Sequence, residues 1–291
     1  MVDLVDLPPY SAFLRFTFTL EKPFLSRDDA PFHILDNPVR KDKVFKVPMV
    51  GASTWKGNLR WMCNYLTIAK WREQEGANHG QSALSLNNFR DQWPKDRLAL
   101  YRLFGPESKA MSFCFDEVIA DLMVHKISGA EIIGAFDEHL RKQGLPRGED
   151  QGFQGRLRFY PTFFDAVGLE VINPHDPESG AGRLPIFIES VPAGARGRFS
   201  LLYAPLDLMG EENPESVRNQ TMHDLRFIAK ALEQLMLVHG FSAKKTSGFG
   251  VIKEVVEEGV LIVKGLTPAK CWAISRLGDI QAILGELGGQ P

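Results

Sequence analysis

The order in which two hydrophobic periods follow one another limits this chain's fold more than any other feature. Residues 11–20 alternate with a period of two. Leu14, Phe16, Phe18 and Leu20 point one way and Arg15, Thr17 and Thr19 the other, which predicts a half-buried strand. A helical pattern runs from Ser53 or Thr54, either of which suits an N-cap, to about Glu75. Leu59, Met62, Leu66 and Ala69 form its inner face. Strand patterns return at 155–164, 168–173, 185–191 and 196–204. The longest helical stripe, 215–239, carries Met222, Leu225, Ile228, Leu232, Leu235 and Met236 and stops at Gly240. Residues 249–256 and 259–264 read as strands again. With insertions set aside, the order is strand, helix, strand, strand, helix, strand. That predicts an α+β fold with a ferredoxin-like βαββαβ core. The same order serves many unrelated functions and names none of them.

The insertions divide the chain. Residues 1–75 read as the first half of the core, with a basic loop and a helix. Residues 76–150 read as a largely helical insertion, with helical patterns at about 96–104, 115–127 and 130–143 and loop residues at both ends. Residues 151–265 complete the core, and 266–291 are a C-terminal extension. A chain of 291 residues, 44% hydrophobic, suffices for one elaborated domain or two small ones. Cys63, Cys114 and Cys271 are far apart, and no His stands at ligand spacing from them. This predicts reduced thiols in a cytoplasmic protein and argues against zinc. No apolar run approaches 18 residues, so no membrane span is expected. The N-terminal stretch MVDLVDLPPY lacks the basic and apolar regions of a signal peptide.

A formal net charge of −2 gives no global attraction for polyanions, so any anionic partner must be held locally. Between Asp36 and Arg72 there are eight cations (Arg40, Lys41, Lys43, Lys46, Lys56, Arg60, Lys70, Arg72) against two acids, a local balance of +6. They surround Gly51-Ala52-Ser53-Thr54, which opens the first helix. Free N–H groups and the positive end of the helix dipole attract phosphate there. Lys56 and Arg60 lie one turn apart, a spacing that lets both face one anion. A capped amphipathic helix with a solvated basic face fits the same pattern. The second segment is Ala243-Lys244-Lys245-Thr246-Ser247-Gly248-Phe249-Gly250. Its glycines let backbone approach a ligand, its lysines and hydroxyls suit phosphate, and Phe249 suits base stacking or simple packing. An ordinary helix-to-strand turn has the same composition.

Taken together, these segments resemble the RAMP superfamily, whose members build CRISPR effector complexes. The likeness is to the backbone subunit of type III (Csm and Cmr) complexes. Its D-N-P-V element is matched by Asp36-Asn37-Pro38-Val39 and its P-G-S-S-x-K-G-x-L-R helix start by Val50 to Arg60. Its glycine-rich loop is matched by Lys245 to Gly250, its L-F-G element by Leu103-Phe104-Gly105 and its V-P-A-G turn by Val191 to Gly194. The matches stand in the family's order and span most of the chain. The insertion at 76–150 is longer than in the backbone subunit, the glycine loop lacks the arginine common after its serine, and Ile172 to His175 is closer to a filament-capping branch.

The resemblance implies an RRM-like core that polymerises along a guide RNA, with other RAMP subunits and a large polymerase-like subunit as partners. It implies guide contacts from the helix start (Ser53, Thr54, Lys56, Arg60) and the glycine loop (Lys244, Lys245, Thr246, Ser247, Gly248, Phe249). Arg40, Lys41, Lys43 and Lys46 belong to the basic stretch that attracts RNA phosphate, and the three lysines lie near enough to Asp36 in sequence to stabilise a phosphorane. It also implies a β-hairpin thumb, here about 172–186, that displaces a nucleotide of the guide–target duplex, with Arg183 near a phosphate. In subunits that cut target RNA, an aspartate matching Asp36 lies beside the displaced phosphate. Asp36 would act as general base or hold a divalent cation such as Mg2+, and His33 would assist as acid or base. An Asp-Asn-Pro sequence is also strong turn chemistry without catalysis. A non-cutting capping subunit, a guide-processing endonuclease and a small-molecule enzyme on a ferredoxin-like scaffold are the alternatives.

Overall fold

The structure is a computed structural model. It describes residues 4–28, 37–76, 86–106, 129–142, 144–145, 153–172, 184–265 and 270–287. His33, Asp36, Arg183, the expected helix at 115–127 and most of the expected thumb lie outside these residues. The chain divides into two compact units. One comprises Met1–Leu59, Phe159–Ala204 and Glu211–Pro291; the other comprises Arg60–Arg158 and Pro205–Gly210.

The elements in chain order are β1 (Ala12–Thr19), β2 (Met49–Val50), α1 (Ala52–Gly76), α2 (Leu86–Phe104) and α3 (Gly129–Lys142). Next come β3 (Leu157–Phe159), β4 (Thr162–Phe163), β5 (Gly168–Ile172), β6 (Ile186–Ser190) and β7 (Arg196–Tyr203). The last are α4 (Pro214–Glu233), β8 (Val255–Val263), β9 (Lys270–Arg276) and α5 (Gly278–Leu287). The main sheet has the order β3-β7-β1-β8-β9, and two small sheets pair β2 with β4 and β5 with β6. β1 runs antiparallel to both β7 and β8.

β1 is more deeply buried than its alternation predicts. Only Arg15 and Thr19 are even partly accessible, because the strand is the middle one of five. The expected strand at 155–164 is two short strands in different sheets. The two expected strands at 249–256 and 259–264 are a single strand, β8, with a register shift against β1. The C-terminal extension is not an appendage. It adds β9 to the sheet edge, and Asp279, in the first turn of α5, accepts from the N–H groups of Ser275 and Arg276 at the end of β9.

One face of the sheet carries a cluster of rings. Trp55, on the first turn of α1, lies 4.9 Å from Phe199 and 4.5 Å from Phe241, centroid to centroid. Phe18 meets Trp55 and Phe241 edge-on, and Phe24 packs 5.4 Å from both Phe164 and Phe241. Trp55 is fully buried, and its Nε1–H donates to Thr162 Oγ1 at 3.0 Å. The Thr162 hydroxyl donates in turn to the Arg198 carbonyl at 2.8 Å. Farther along the same face, Leu14, Leu201 and Leu261 stand opposite one another on adjacent strands. Leu225 and Ile228 of α4 and Ile280 and Leu284 of α5 line the same small apolar cavity as these leucines. Asn213 caps α4, its side chain accepting from Glu215 N–H and Ser216 N–H, with Pro214 at the first helical position. The helical stripe ends in a π-helical turn, Gln234–His239, closed by Gly240 N–H donating to the Leu235 carbonyl.

The second unit has its own core, where Leu98, Tyr101 and Leu140 pack with Phe136, Leu145 and Phe153. Tyr101 and Phe153 stack at 5.1 Å. Within this unit Arg156, only 1% exposed, makes a two-bond ion pair with Asp207 at 2.8 and 2.5 Å. Gly105 (φ +79°) and Gly155 bring two backbones together so closely that a Cβ on Gly155 would overlap Phe104 and Gly105.

Replacing the anchoring indole leaves a large cavity under the start of α1. Trp55→Ala is expected to lower unfolding free energy by about 3–5 kcal/mol. Thr162→Val, which strips the indole N–H and the Arg198 carbonyl of their partner, is expected to cost about 1–3 kcal/mol. Urea unfolding measures both; a loss under about 1 kcal/mol for Trp55→Ala would show that the ring cluster does not anchor the helix.

Candidate nucleic-acid interface

The glycine loop is tied down at both ends by one extended segment. Ser242 Oγ accepts from Leu25 N–H at 2.7 Å and donates to the Leu25 carbonyl at 3.1 Å. Ala243 N–H donates to the same carbonyl, and Gly250 N–H donates to the Pro23 carbonyl at 2.8 Å. Gly250 has φ +77°, and a Cβ there would lie 2.5 Å from Ser242 Cβ, so only glycine closes this loop. Between the tied ends, Lys244 (φ +60°) and Gly248 (φ +75°) bracket a 3-10 turn, Lys245–Ser247. Lys244, Thr246 and Ser247 are exposed; Gly248 and Phe249 are half-buried.

Asn58 joins this loop to α1. Lys245 Nζ donates to Asn58 Oδ1 at 2.7 Å, across 187 positions of sequence. The same amide donates from Nδ2 to the Thr54 carbonyl at 3.0 Å and to the Phe241 carbonyl at 3.4 Å. Both ends of one neutral side chain are thus used to hold the loop's lysine against the first turns of the helix. Partial burial of Lys245 lowers its pKa from the ordinary lysine value.

The helix begins at Ala52, with Trp55 N–H donating to the Gly51 carbonyl, so Ser53 and Thr54 lie inside the first turn rather than capping it. The exposed guanidinium of Arg40 lies beside Gly51: a Cβ there would be 3.8 Å from Arg40 Cζ and Nη2 and from Thr54 Oγ1. At 3.6 residues per turn, Thr54 and Asn58 share one edge of the exposed face and Lys56 stands at the other. Ser53 and Gly57 lie between them, both exposed. A Cβ on Gly57 would meet nothing within 4 Å.

Two of the expected contact residues have other roles. Arg60 does not share an anion with Lys56. It is 9% exposed, its Nη2 donates to the carbonyls of Phe104 and Gly105 at 2.9 and 3.0 Å, and its guanidinium lies 5.4 Å over the Phe104 ring. The arginine of the helix-start motif therefore caps the end of α2, where Leu103-Phe104-Gly105 stands, because the last carbonyls of a helix need donors. Lys41 pairs with Glu189 at 2.5 Å instead of facing outward. The other Glu189 oxygen accepts from Val39 N–H at 3.1 Å, and Glu189 N–H donates to the Asn37 carbonyl at 3.0 Å. Three contacts to one residue of β6 thus hold Asn37, Val39 and Lys41, the stretch that follows Asp36, at the base of the β5–β6 hairpin. Lys43 and Lys46 remain exposed. The Val191-Pro192-Ala193-Gly194 turn is structural as well, with Gly194 (φ +87°) donating its N–H to the Leu20 carbonyl.

Asn58, Glu189 and Ser242 have no motif signature; their roles come from partners distant in sequence. Among the described residues, no group of three or more His, Cys, Asp or Glu is placed to hold a metal ion, and no helix is long and apolar enough to cross a membrane.

The contrast between Arg60 and Lys56 has a direct readout. Arg60→Ala leaves two helix-end carbonyls without their donor and is expected to cost about 1.5–3 kcal/mol of stability. Lys56→Ala, at an exposed position, should change it by under about 0.5 kcal/mol. Equal urea midpoints for the two variants would contradict a capping role for Arg60.

No curated protein matches this sequence. Among solved structures, one chain of a Type III-B Cmr-beta complex bound to cognate target RNA is 12% identical, with a TM-score of 0.43. The alignment covers 88% of this chain and 62% of that one, so this chain spans under two thirds of that chain's length. Cmr6 from Pyrococcus furiosus is 15% identical with a TM-score of 0.35, over 83% of this chain and 97% of that one. The family assignment rests instead on the sequence: the RAMP superfamily model matches residues 17–253, which take in the Asn37–Val39 stretch, the start of α1 and the glycine loop, and the chain belongs to that superfamily.

Proposed function

We propose that this chain is a guide-RNA-binding backbone subunit of a type III CRISPR effector complex. The observation that carries the reading is the Asn58–Lys245 bond, which unites the two cation-bearing segments on one unit of the fold. Arg40, Ser53, Thr54 and Lys56 at the helix start and Lys244 to Ser247 on the loop then present cations, hydroxyls and the positive end of the helix to a ribose-phosphate backbone. Gly57 supports the same reading. Glycine inside a helix costs about 1 kcal/mol relative to alanine, and among the described residues no atom lies within 4 Å of where a Cβ on Gly57 would stand. Close approach of an external backbone accounts for it.

The strand order β3-β7-β1-β8, with α1 between β1 and β3 and α4 between β7 and β8, supports a ferredoxin-like, RRM-like core. The β5–β6 hairpin carries exposed Leu169, Val171 and Phe187, which suits a thumb that lies over a neighbouring subunit. Other RAMP subunits, a large polymerase-like subunit and target RNA complete the proposed set of partners.

Target cleavage is the second part of the proposal, with Asp36 as the reacting carboxylate and His33 beside it in sequence. An unperturbed aspartate, with a pKa of about 3.9, is ionised at neutral pH and suits a metal-ligand role better than a base. A divalent cation such as Mg2+ held there would neutralise charge developing on the phosphoryl oxygens. The chain's own part is positioning: the residues after Asp36 are pinned to Glu189, and exposed Lys43 and Lys46 lie close by in sequence to steady the phosphate.

Lys56→Ala and Lys245→Ala are expected to weaken binding of RNA of any sequence and to flatten its salt dependence by about one phosphate contact each. Gly57→Ala should separate stability from binding, raising the former by about 0.5–1 kcal/mol while lowering the latter. Fluorescence anisotropy across a salt series measures these effects; unchanged slopes in both lysine variants would defeat the RNA reading. For cleavage, Asp36→Ala in the assembled complex should abolish cutting of target RNA with guide binding unchanged. Persistent cutting would remove Asp36 from the mechanism.

A further inference from the structure

Between Arg40 and the start of α1 the chain makes a tight β-turn excursion. Lys41 and Pro48 bridge at its base, Met49 N–H donates to the Arg40 carbonyl, and Asp42 N–H donates to the Val47 carbonyl. Asp42 orders the tip. Its Oδ1 accepts from Val44 N–H at 2.9 Å and Phe45 N–H at 2.8 Å, and Lys46, at φ +58°, returns its N–H to the Asp42 carbonyl. These amide bonds hold the Asp42 carboxyl below its usual pKa. The tip so held presents Val44 and Phe45, 78% and 77% exposed, between the exposed ammonium groups of Lys43 and Lys46.

An ordered turn that displays a phenyl ring to solvent does not serve the core. The ring gives up the burial that makes aromatic residues valuable inside proteins. Its neighbours discriminate between partners. Lysine is depleted at protein–protein contacts, whereas an aromatic face flanked by cations is the recurring platform for single-stranded nucleic acid. Phe45 is five residues of chain from Arg40 and four from Met49. Its backbone therefore stands at most about 18 Å from that of Arg40, whose side chain lies beside Gly51 at the helix start.

We propose that Phe45 is a stacking platform for an unpaired RNA base, with Lys43 and Lys46 engaging the flanking phosphates. This rests on the RNA-binding reading above and adds to it a base contact at the tip of this turn, separate from the glycine loop and its half-buried Phe249. Because the turn is ordered before binding, little conformational entropy is lost when the base docks.

The test uses the full chain and a single-stranded RNA oligonucleotide carrying 2-aminopurine. Phe45→Ala and Phe45→Leu are expected to weaken binding by roughly 5- to 100-fold and to abolish the fluorescence quenching that stacking produces, whereas Phe45→Trp keeps both. Salt slopes should be the same for all three, since stacking releases no counterions, and flatter for Lys43→Ala and Lys46→Ala. Phe45→Leu binding as tightly as wild type would overturn stacking. So would Phe45 variants that bind RNA normally but fail to assemble with other subunits, which would make the tip a protein contact. Lys56→Ala and Lys245→Ala run alongside: if they weaken binding while the Phe45 variants do not, stacking alone fails; if none has an effect, the RNA-binding reading fails with it.

Discussion

The contact on which the candidate interface depends is between two rings, Trp55 and Phe241, with centroids 4.5 Å apart in the middle of the aromatic cluster. Trp55 precedes Lys56, and Phe241 opens the segment that leads to Lys245. Packing these rings against Phe18 and Phe199 brings the backbone of the first helix and that of the glycine loop to one place on the sheet. The polar contacts follow from that packing. Asn58 reaches the Phe241 carbonyl and the Lys245 ammonium because the aromatic core has already brought both near. Close-packed interiors deform little, so a site seated on one inherits its geometry.

The described cations divide by role. Cations that stabilise the fold have partners inside it: Arg60 on helix-end carbonyls, Lys41 on Glu189, Arg156 on Asp207. Arg40, Lys43, Lys46, Lys56 and Lys244 are exposed. A chain with a net charge of −2 can therefore present a strongly cationic region, since local arrangement and not the total sets the field an anion meets. Lys245 is intermediate. It is half-buried, with a lowered pKa, and its ammonium donates to the neutral amide of Asn58.

The family motifs gain a physical meaning from these pairings. In this chain the arginine closing the helix-start motif caps the helix end at which the Leu-Phe-Gly element stands. The glycine loop needs Gly250 because Ser242 occupies the space a side chain would take. Gly57, like the helical Gly134 and Gly285, has no described atom within 4 Å of where a Cβ would stand.

Periodicity and motif order, read from the sequence alone, determined the class of fold, the positions of the first helix and of α4, the two cation-bearing segments and the superfamily. These depend on neighbours a few residues apart, and such relations are written in the chain. Tertiary structure decided the rest. It made β1 a central strand buried at all but Arg15 and Thr19, split the segment at 155–164 between two sheets, and added the C-terminal residues to the sheet edge. It also turned Arg60 and Lys41 inward and gave Asn58, Glu189 and Ser242 their roles. Each of these outcomes hangs on a partner tens to hundreds of residues away, and no local pattern records which distant backbone carbonyl or carboxylate a side chain will meet once the core has closed.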